Sequence, residues 1–218
     1  MDVTVGEAMR IFVAVPAIDK IYPQMIRALY SHILQSGHEC YIDWNLWDSM
    51  IARVRNEQMT RFLYGDWDYY FHISGDMEVL NHPVSENIFK TFMSRDKEFI
   101  GALYATSAEP GKCTSVFYKG EEGEVHKIKW LSGGCWMLTR KAVKKMQKAY
   151  PEVTYDSNAG TEGIVHGLFN EYIHTTGGHK ILLSEDFAFC QRWLDIGGEI
   201  YADRKIRLGH WGAKRFEL

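Results

Sequence analysis

The 218-residue chain has no apolar run longer than a strand needs, no closely spaced cysteine pair and no excess of basic charge. A membrane-crossing helix takes about 20 consecutive apolar residues, so no membrane span is predicted. The start, MDVTVGEAMR, lacks a basic segment followed by an apolar core, and no leader peptide is expected. The four cysteines, Cys40, Cys113, Cys135 and Cys190, lie far apart among apolar residues. Buried free thiols are expected there rather than disulfides or a zinc site. That points to a cytoplasmic setting, or to a host's cytoplasm if the chain is viral. Lys and Arg number 25 against 28 Asp and Glu, a net charge of −3. A general nucleic-acid binder would carry a basic stripe, so no nucleic-acid partner is expected. A local basic pocket for a phosphate remains open.

Apolar residues are plentiful: 46% of the chain is hydrophobic and 14% aromatic, enough for a proper core. RIFVAVP (10–16) suits a buried central strand. Met25, Ile26, Leu29, Ile33 and Leu34 follow at helical spacing, with Gly37 as a stop. ECYID (39–43) is a second strand. The next helix is expected to start near Asn45 or Asp48, with Trp47, Met50, Ile51, Val54 and Phe62 in its apolar stripe. DYYFHIS (68–74) is a third strand, Ser85 a cap for a helix carrying Ile88, Phe89, Phe92 and Met93, and FIGALY (99–104) a fourth strand. The alternation of strand and helix implies a mostly parallel sheet covered by helices.

The second half differs. A hairpin is expected with its turn at 120–123, then the strand CWMLT and a basic amphipathic helix from Thr139 to Tyr150. A long functional loop is expected from about 151 to 178. Ser184 caps a last helix that presents Phe187, Cys190, Trp193 and Leu194 inward, and two short strands close the chain. With no repeat, low-complexity tract or linker, one α/β domain spanning 1–218 is expected.

Five places carry candidate chemistry. In SGDMEV, Asp76 and Glu78 end the third strand, where ligands of open α/β sheets sit; two carboxylates there suit a hard divalent ion. The alternative is an Asx turn at Asp76 and a solvated Glu78. His210, in RLGHWG, can join such carboxylates at a Mn²⁺-like metal, or simply pack. Arg53 and Asn56 share a helix face, and an arginine fork suits a diphosphate. A solvated face with an Arg53–Glu57 pair is the alternative. Gly133 and Gly134 precede a buried strand and admit close backbone approach, by a ligand or merely in a turn. Glu185 and Asp186 follow Ser184, where acids stabilise a helix N-terminus or serve as a catalytic base.

In their order along the chain, these elements resemble the GT-A glycosyltransferases: a first strand, the ARVRN helix, a strand ending in a D-x-D-like pair, the GGC strand, the SED helix and a late Gly-His. The length and the lack of a membrane span also resemble compact viral and bacterial members, those that decorate chlorella-virus capsids among them. The resemblance implies a GT-A fold, a Rossmann-like nucleotide-binding domain with a mixed central β-sheet flanked by helices. A nucleotide-binding half would run over about 10–105 and an acceptor-binding half over about 106–218. It implies metal-dependent transfer of a sugar from a nucleotide-sugar donor, UDP being the commonest nucleotide in this fold, to a glycan or glycoprotein acceptor. Carried over by position, Val15, Pro16, Ala17 and Asp43 would surround the base. Arg53, with Asn56 beside it, would approach the diphosphate, Asp76 the ribose or donor sugar, and Gly133 and Gly134 the donor sugar. Glu78 and His210, with Asp76, would hold Mn²⁺ or Mg²⁺, although the family commonly has Asp where Glu78 stands. Asp186 would be the catalytic carboxylate, with Glu185 as the alternative base. The basic helix and the loop 160–178 would face the acceptor.

Two competing classes leave different marks. A sugar nucleotidyltransferase usually carries a Gly-rich, Lys/Arg-containing loop after its first strand, and VPAIDKIYP is not one. A non-catalytic carbohydrate-binding module would expose aromatics. Trp44, Trp47, Trp130, Trp136 and Trp193 instead fall in apolar stripes that core packing explains.

Overall fold

The computed structural model describes residues 7–18, 20–105, 112–120, 122–157, 161, 163–212 and the backbone of 215–216. Residues 1–6, where a leader was sought, and residue 160, the start of the expected acceptor-facing loop, lie outside the described residues. Among the described residues no helix is long and apolar enough to cross a membrane.

The order is β1 (Arg10–Ala17), α1 (Pro23–Leu34), β2 (Glu39–Leu46), α2 (Ile51–Tyr64), β3 (Tyr69–Ile73), β4 (Met77–Val79), α3 (Ile88–Ser94) and β5 (Phe99–Ala102). Then come β6 (Val116–Phe117), β7 (Val125–Trp130), β8 (Cys135–Thr139), α4 (Arg140–Ala149), β9 (Thr154–Asp156) and β10 (Ile164–His166). β11 (Tyr172–Thr176), β12 (His179–Leu183), α5 (Glu185–Asp195), β13 (Ile200–Asp203), β14 (Leu208–Trp211) and β15 (Arg215–Phe216) complete it. The main sheet has eight strands in the order β2-β1-β3-β8-β5-β13-β7-β6. It is a mixed sheet flanked by helices: β8 and β7 run against the other six.

The apolar run of β1 serves both faces because successive side chains point to opposite sides. Phe12 and Ala14 enter a core with Met59 and Phe62 of α2, Val143 and Met146 of α4, and Phe189 and Trp193 of α5. Ile11, Val13 and Val15 enter the other core with Met25 and Leu29 of α1 and Phe89 and Phe92 of α3. Each fully buried Val, Leu, Ile, Met or Phe among them contributes roughly 1.5–3 kcal/mol. Thr139 caps α4 by accepting from the Ala142 N–H at 3.2 Å.

The sheet is mostly parallel, as expected, and β8 inserts between β3 and β5, antiparallel to both. Several expectations need correction. α2 begins at Ile51, so Trp47 and Met50 belong to the preceding loop and are exposed. α3 is capped by Asn87, whose side chain accepts from Phe89 N–H, rather than by Ser85. The stretch 151–178 holds short hairpin strands rather than one loop: β9 pairs β10, and β11 pairs β12. Gly177 and Gly178 both have positive φ, which a two-residue hairpin turn requires. All four cysteines are free, but only Cys135 and Cys190 are buried; Cys40 and Cys113 are partly exposed.

Candidate functional site

β1 and β3 are parallel neighbours, and their carboxyl ends open into a pocket of about 260 Å³, the usual ligand position in such sheets. Pro16 and Ala17 from the end of β1 and Ser74, Gly75 and Asp76 after β3 line it. The two ends are laced together by the Gly75 N–H donating to Pro16 O at 3.0 Å. A Cβ on Gly75 would sit 2.7 Å from that of Ala17, so glycine is required for this closeness. Val15 is fully buried beneath. Lys20, Tyr22 and Trp211 form one wall, with Tyr22 and Trp211 stacked at 5.8 Å, and Ile18 and Ile51 form another.

Strand pairing brings Asp76 and His210 together. β14 runs antiparallel to β4, placing His210 opposite Met77, and Trp211 N–H donates to Asp76 O at 2.8 Å. His210 Nε2 lies 3.2 Å from Asp76 Oδ2, while Nδ1 lies 2.9 Å from Ala105 O. The hydrogen bond to Asp76 raises the imidazole above its ordinary pKa, against burial. Asp76 Oδ1 is shielded and makes no hydrogen bond among the described residues. Glu78 is held apart from this pair: its Oε2 accepts from Trp211 Nε1–H at 2.9 Å, and it lines a separate pocket beside α1 with Arg27 and Ser31. Among the described residues no three His, Cys, Asp or Glu side chains group as a metal site.

The arginine that reaches the pocket is Arg55, which the sequence expectations passed over. Its side chain is 5% exposed, pairs with Glu185 at 3.1 Å, and donates from Nη2 to Gly133 O at 2.7 Å. Trp136 and Phe169 lie against its guanidinium at 5.7 and 5.9 Å. Its Nε–H is buried and meets no acceptor among the described residues. A buried orphan donor is costly. Arg53, two residues away, instead forks onto Asp48, with both contacts at 2.8 Å. Asn56 lies on no solvated face: fully buried, it accepts from Phe169 N–H and donates to Asn170 Oδ1. Asp43 is mid-strand and clamped by Arg61 at 2.7 Å. Arg53, Asn56 and Asp43 do not line the pocket.

Gly133 and Gly134 are buried, and the close approach they permit is by side chains of this chain. An added Cβ would collide with the Arg55 guanidinium at Gly133 and with the Tyr104 ring at Gly134. Gly133 O also accepts from Ser74 Oγ at 3.1 Å and His72 Nε2 at 2.9 Å; burial, helped by the Arg55 charge, keeps His72 neutral. Gly133→Ala is therefore expected to displace Arg55 at a cost of roughly 1–3 kcal/mol. Chemical denaturation measures this, and an unchanged midpoint would mean that Arg55 yields freely.

Glu185 and Asp186 diverge as adjacent helical residues must. Asp186 is fully engaged: Oδ2 accepts from Gly133 N–H at 2.9 Å, and Oδ1 from Phe187 N–H at 2.8 Å and from Ser184 Oγ. Glu185 faces Arg55; burial raises its carboxyl above the ordinary value, and Arg55 pulls it back. Tyr104 is a further residue that the sequence expectations did not single out. Its ring meets His210 edge-on at 5.4 Å, and it feels the charges of both Asp186 and Asp76.

Solved structures share this architecture. The A197 protein from STIV aligns over 94% of this chain and 86% of its own, at 14% identity and a TM-score of 0.57. The inositol-1-phosphate CTP transferase from T. maritima aligns over 94% and 90%, at 11% identity and a TM-score of 0.51. A glycosyltransferase involved in glycosylation of the major capsid of PBCV-1 aligns over 65% and 66%, at 8% identity and a TM-score of 0.39, too loose a match to bear weight. No protein-family model and no curated protein matches the chain. At such identities the likeness establishes the fold alone, a Rossmann-like mixed sheet flanked by helices, and leaves the reaction to the site.

Proposed function

We propose that this chain is a glycosyltransferase that binds a nucleotide-sugar, with UDP-sugars as the favoured donors, and transfers the sugar to a hydroxyl of a glycan or glycoprotein. The observation that carries this reading is the pocket at the ends of β1 and β3, where Lys20 and Arg55 line a space large enough for a diphosphate. A planar guanidinium suits the bidentate oxygens of phosphate.

Asp76 and His210 fit a divalent cation in part. The Ala105 carbonyl fixes the proton on Nδ1 and leaves Nε2 beside Asp76, the arrangement that outer-shell partners impose on metal-binding histidines. Mg²⁺-like ions are commonly held by one or two side chains and completed by substrate phosphates. Such an ion would supply charge neutralisation to the departing diphosphate. Glu78, committed to Trp211, is outside this pair. The chain's own residues supply the rest: Arg55 binds the phosphate, Asp186 fixes the Gly133 turn, and Glu185 accepts the acceptor's proton.

Mn²⁺ is expected to tighten UDP binding, and chelator to abolish the gain. His210→Ala should remove the metal dependence, whereas Glu78→Gln should keep it. Titration calorimetry with and without chelator checks both, and equal UDP affinity in the two conditions would sink the metal site. Slow release of free sugar from the donor separates a transferase from a binding module. A nucleotidyltransferase, whose fold likeness is the specific observation in its favour, would instead release pyrophosphate from a nucleoside triphosphate and a sugar phosphate.

A further inference from the structure

We infer that Trp47 is the stacking platform for the nucleobase of the bound nucleotide, displayed by a loop that Asp48 and Arg53 lock in place; this rests on the nucleotide reading above. Trp47 breaks two rules at once. Its backbone is left-handed, with φ of 71°, a conformation that bulky side chains avoid. Its side chain is also 77% exposed, while the other six tryptophans are buried or half-buried. An exposed indole on a strained backbone gives the fold little packing in return for that strain. Such outliers persist where the surroundings enforce them, and they cluster at ligand clamps.

The enforcing contacts are present. Trp47 N–H donates to Ile18 O at 3.0 Å, tying the loop to the end of β1. Asp48 accepts from Met50 N–H at 2.9 Å and takes the Arg53 fork through both oxygens. Arg53 thus supports the loop that displays Trp47 rather than lining the pocket.

Position selects the occupant. The Ile18 side chain lines the pocket that Lys20 and Arg55 also line. Ile18 is 59% exposed, and Trp47, hydrogen-bonded to Ile18 O, and Met50, next in the chain to the pocket residue Ile51, are exposed apolar side chains at 77% and 57%. A nucleotide whose phosphates meet the cations would extend its flat, apolar-faced end over these side chains. Stacking on an aromatic tolerates any base, because every base offers a π-face.

The test measures uridine, UMP and UDP affinity in the wild type, Trp47→Phe, Trp47→Gly and Arg53→Ala, with melting temperatures in the absence of ligand. Trp47→Gly should weaken uridine, UMP and UDP by one common factor, about 5- to 100-fold. It should not lower the melting temperature, since glycine accepts this φ without strain. Trp47→Phe should retain most of the affinity, and Arg53→Ala should weaken all three ligands together. Unchanged affinities in Trp47→Gly would overturn the assignment. So would a melting temperature several degrees lower, which marks a structural role. A raised acceptor KM with intact nucleoside binding would also overturn it, giving Trp47 to the acceptor. A wild type that binds none of the three would overturn the nucleotide reading along with it.

Discussion

Arg55→Lys is expected to weaken UDP binding about tenfold or more while leaving uridine affinity intact. A charge-assisted hydrogen bond to phosphate is worth roughly 1.5–3 kcal/mol. Lysine keeps the charge that Glu185 requires and loses the planar fork. Arg55→Ala goes further, because Glu185, only 14% exposed at its side chain, is left without its partner. Breaking a buried pair from one side costs about 3–5 kcal/mol, so this variant should melt well below the wild type even without ligand. The lysine variant keeps binding and folding separable. If it weakened UDP and uridine equally, Arg55 would not be the phosphate ligand.

Glu185→Gln is expected to lower turnover by at least about 10²-fold, the range over which a positioned base acts. The glutamine carbonyl can still accept from Arg55, so donor affinity should change little. The pH profile gives the sign. Burial raises the Glu185 carboxyl above its ordinary value of 4.5. Only the carboxylate can accept a proton, so turnover should fall as pH drops through that raised value. In Glu185→Gln this acid limb should vanish. Asp186→Asn should behave differently: it substitutes one acceptor of a carboxylate bound by Gly133 N–H, Phe187 N–H and Ser184 Oγ, so it should lower the melting temperature as well as turnover. Turnover lost in Asp186→Asn with stability intact, and kept in Glu185→Gln, would return the role of base to Asp186.

The buried strands are legible in the sequence as apolar runs, and the rule that ligands gather at strand ends marks out the candidate site. Asp76 and His210, 134 residues apart, were both visible as strand-end residues, and they do meet. The contacts of Glu78 were not visible, since they depend on Trp211, a residue of a strand paired only in three dimensions. Its i,i+3 spacing with Asn56, opposite the apolar stripe, singles out Arg53 on α2 and says nothing of Arg55. Nine residues of α2, from Val54 to Leu63, are buried, charged and polar ones included. Periodicity cannot orient a helix that is covered nearly all round. The hairpins of 154–183 leave little mark in the sequence because their strands are short and carry threonine and histidine (Thr154, His166, His174, Thr175, Thr176 and His179) in place of apolar alternation.

The place of β8 in the sheet bears on how the chain acquires its fold. β3 finds its outer partner only when Tyr69 meets Thr139, and β5 needs both β8 and β13. A chain emerging from the ribosome therefore holds β1, β2 and β3 with an unsatisfied sheet edge until about seventy more residues have appeared. Open edges invite pairing with other chains, and contacts so distant in sequence close slowly. The two pocket-forming strand ends belong to the early segment, and the Gly133 turn and Glu185 that complete the Arg55 environment arrive late. Pocket formation is thus coupled to the last stages of folding, and the proposed nucleotide would be a ligand of the finished molecule alone, able to stabilise it by mass action.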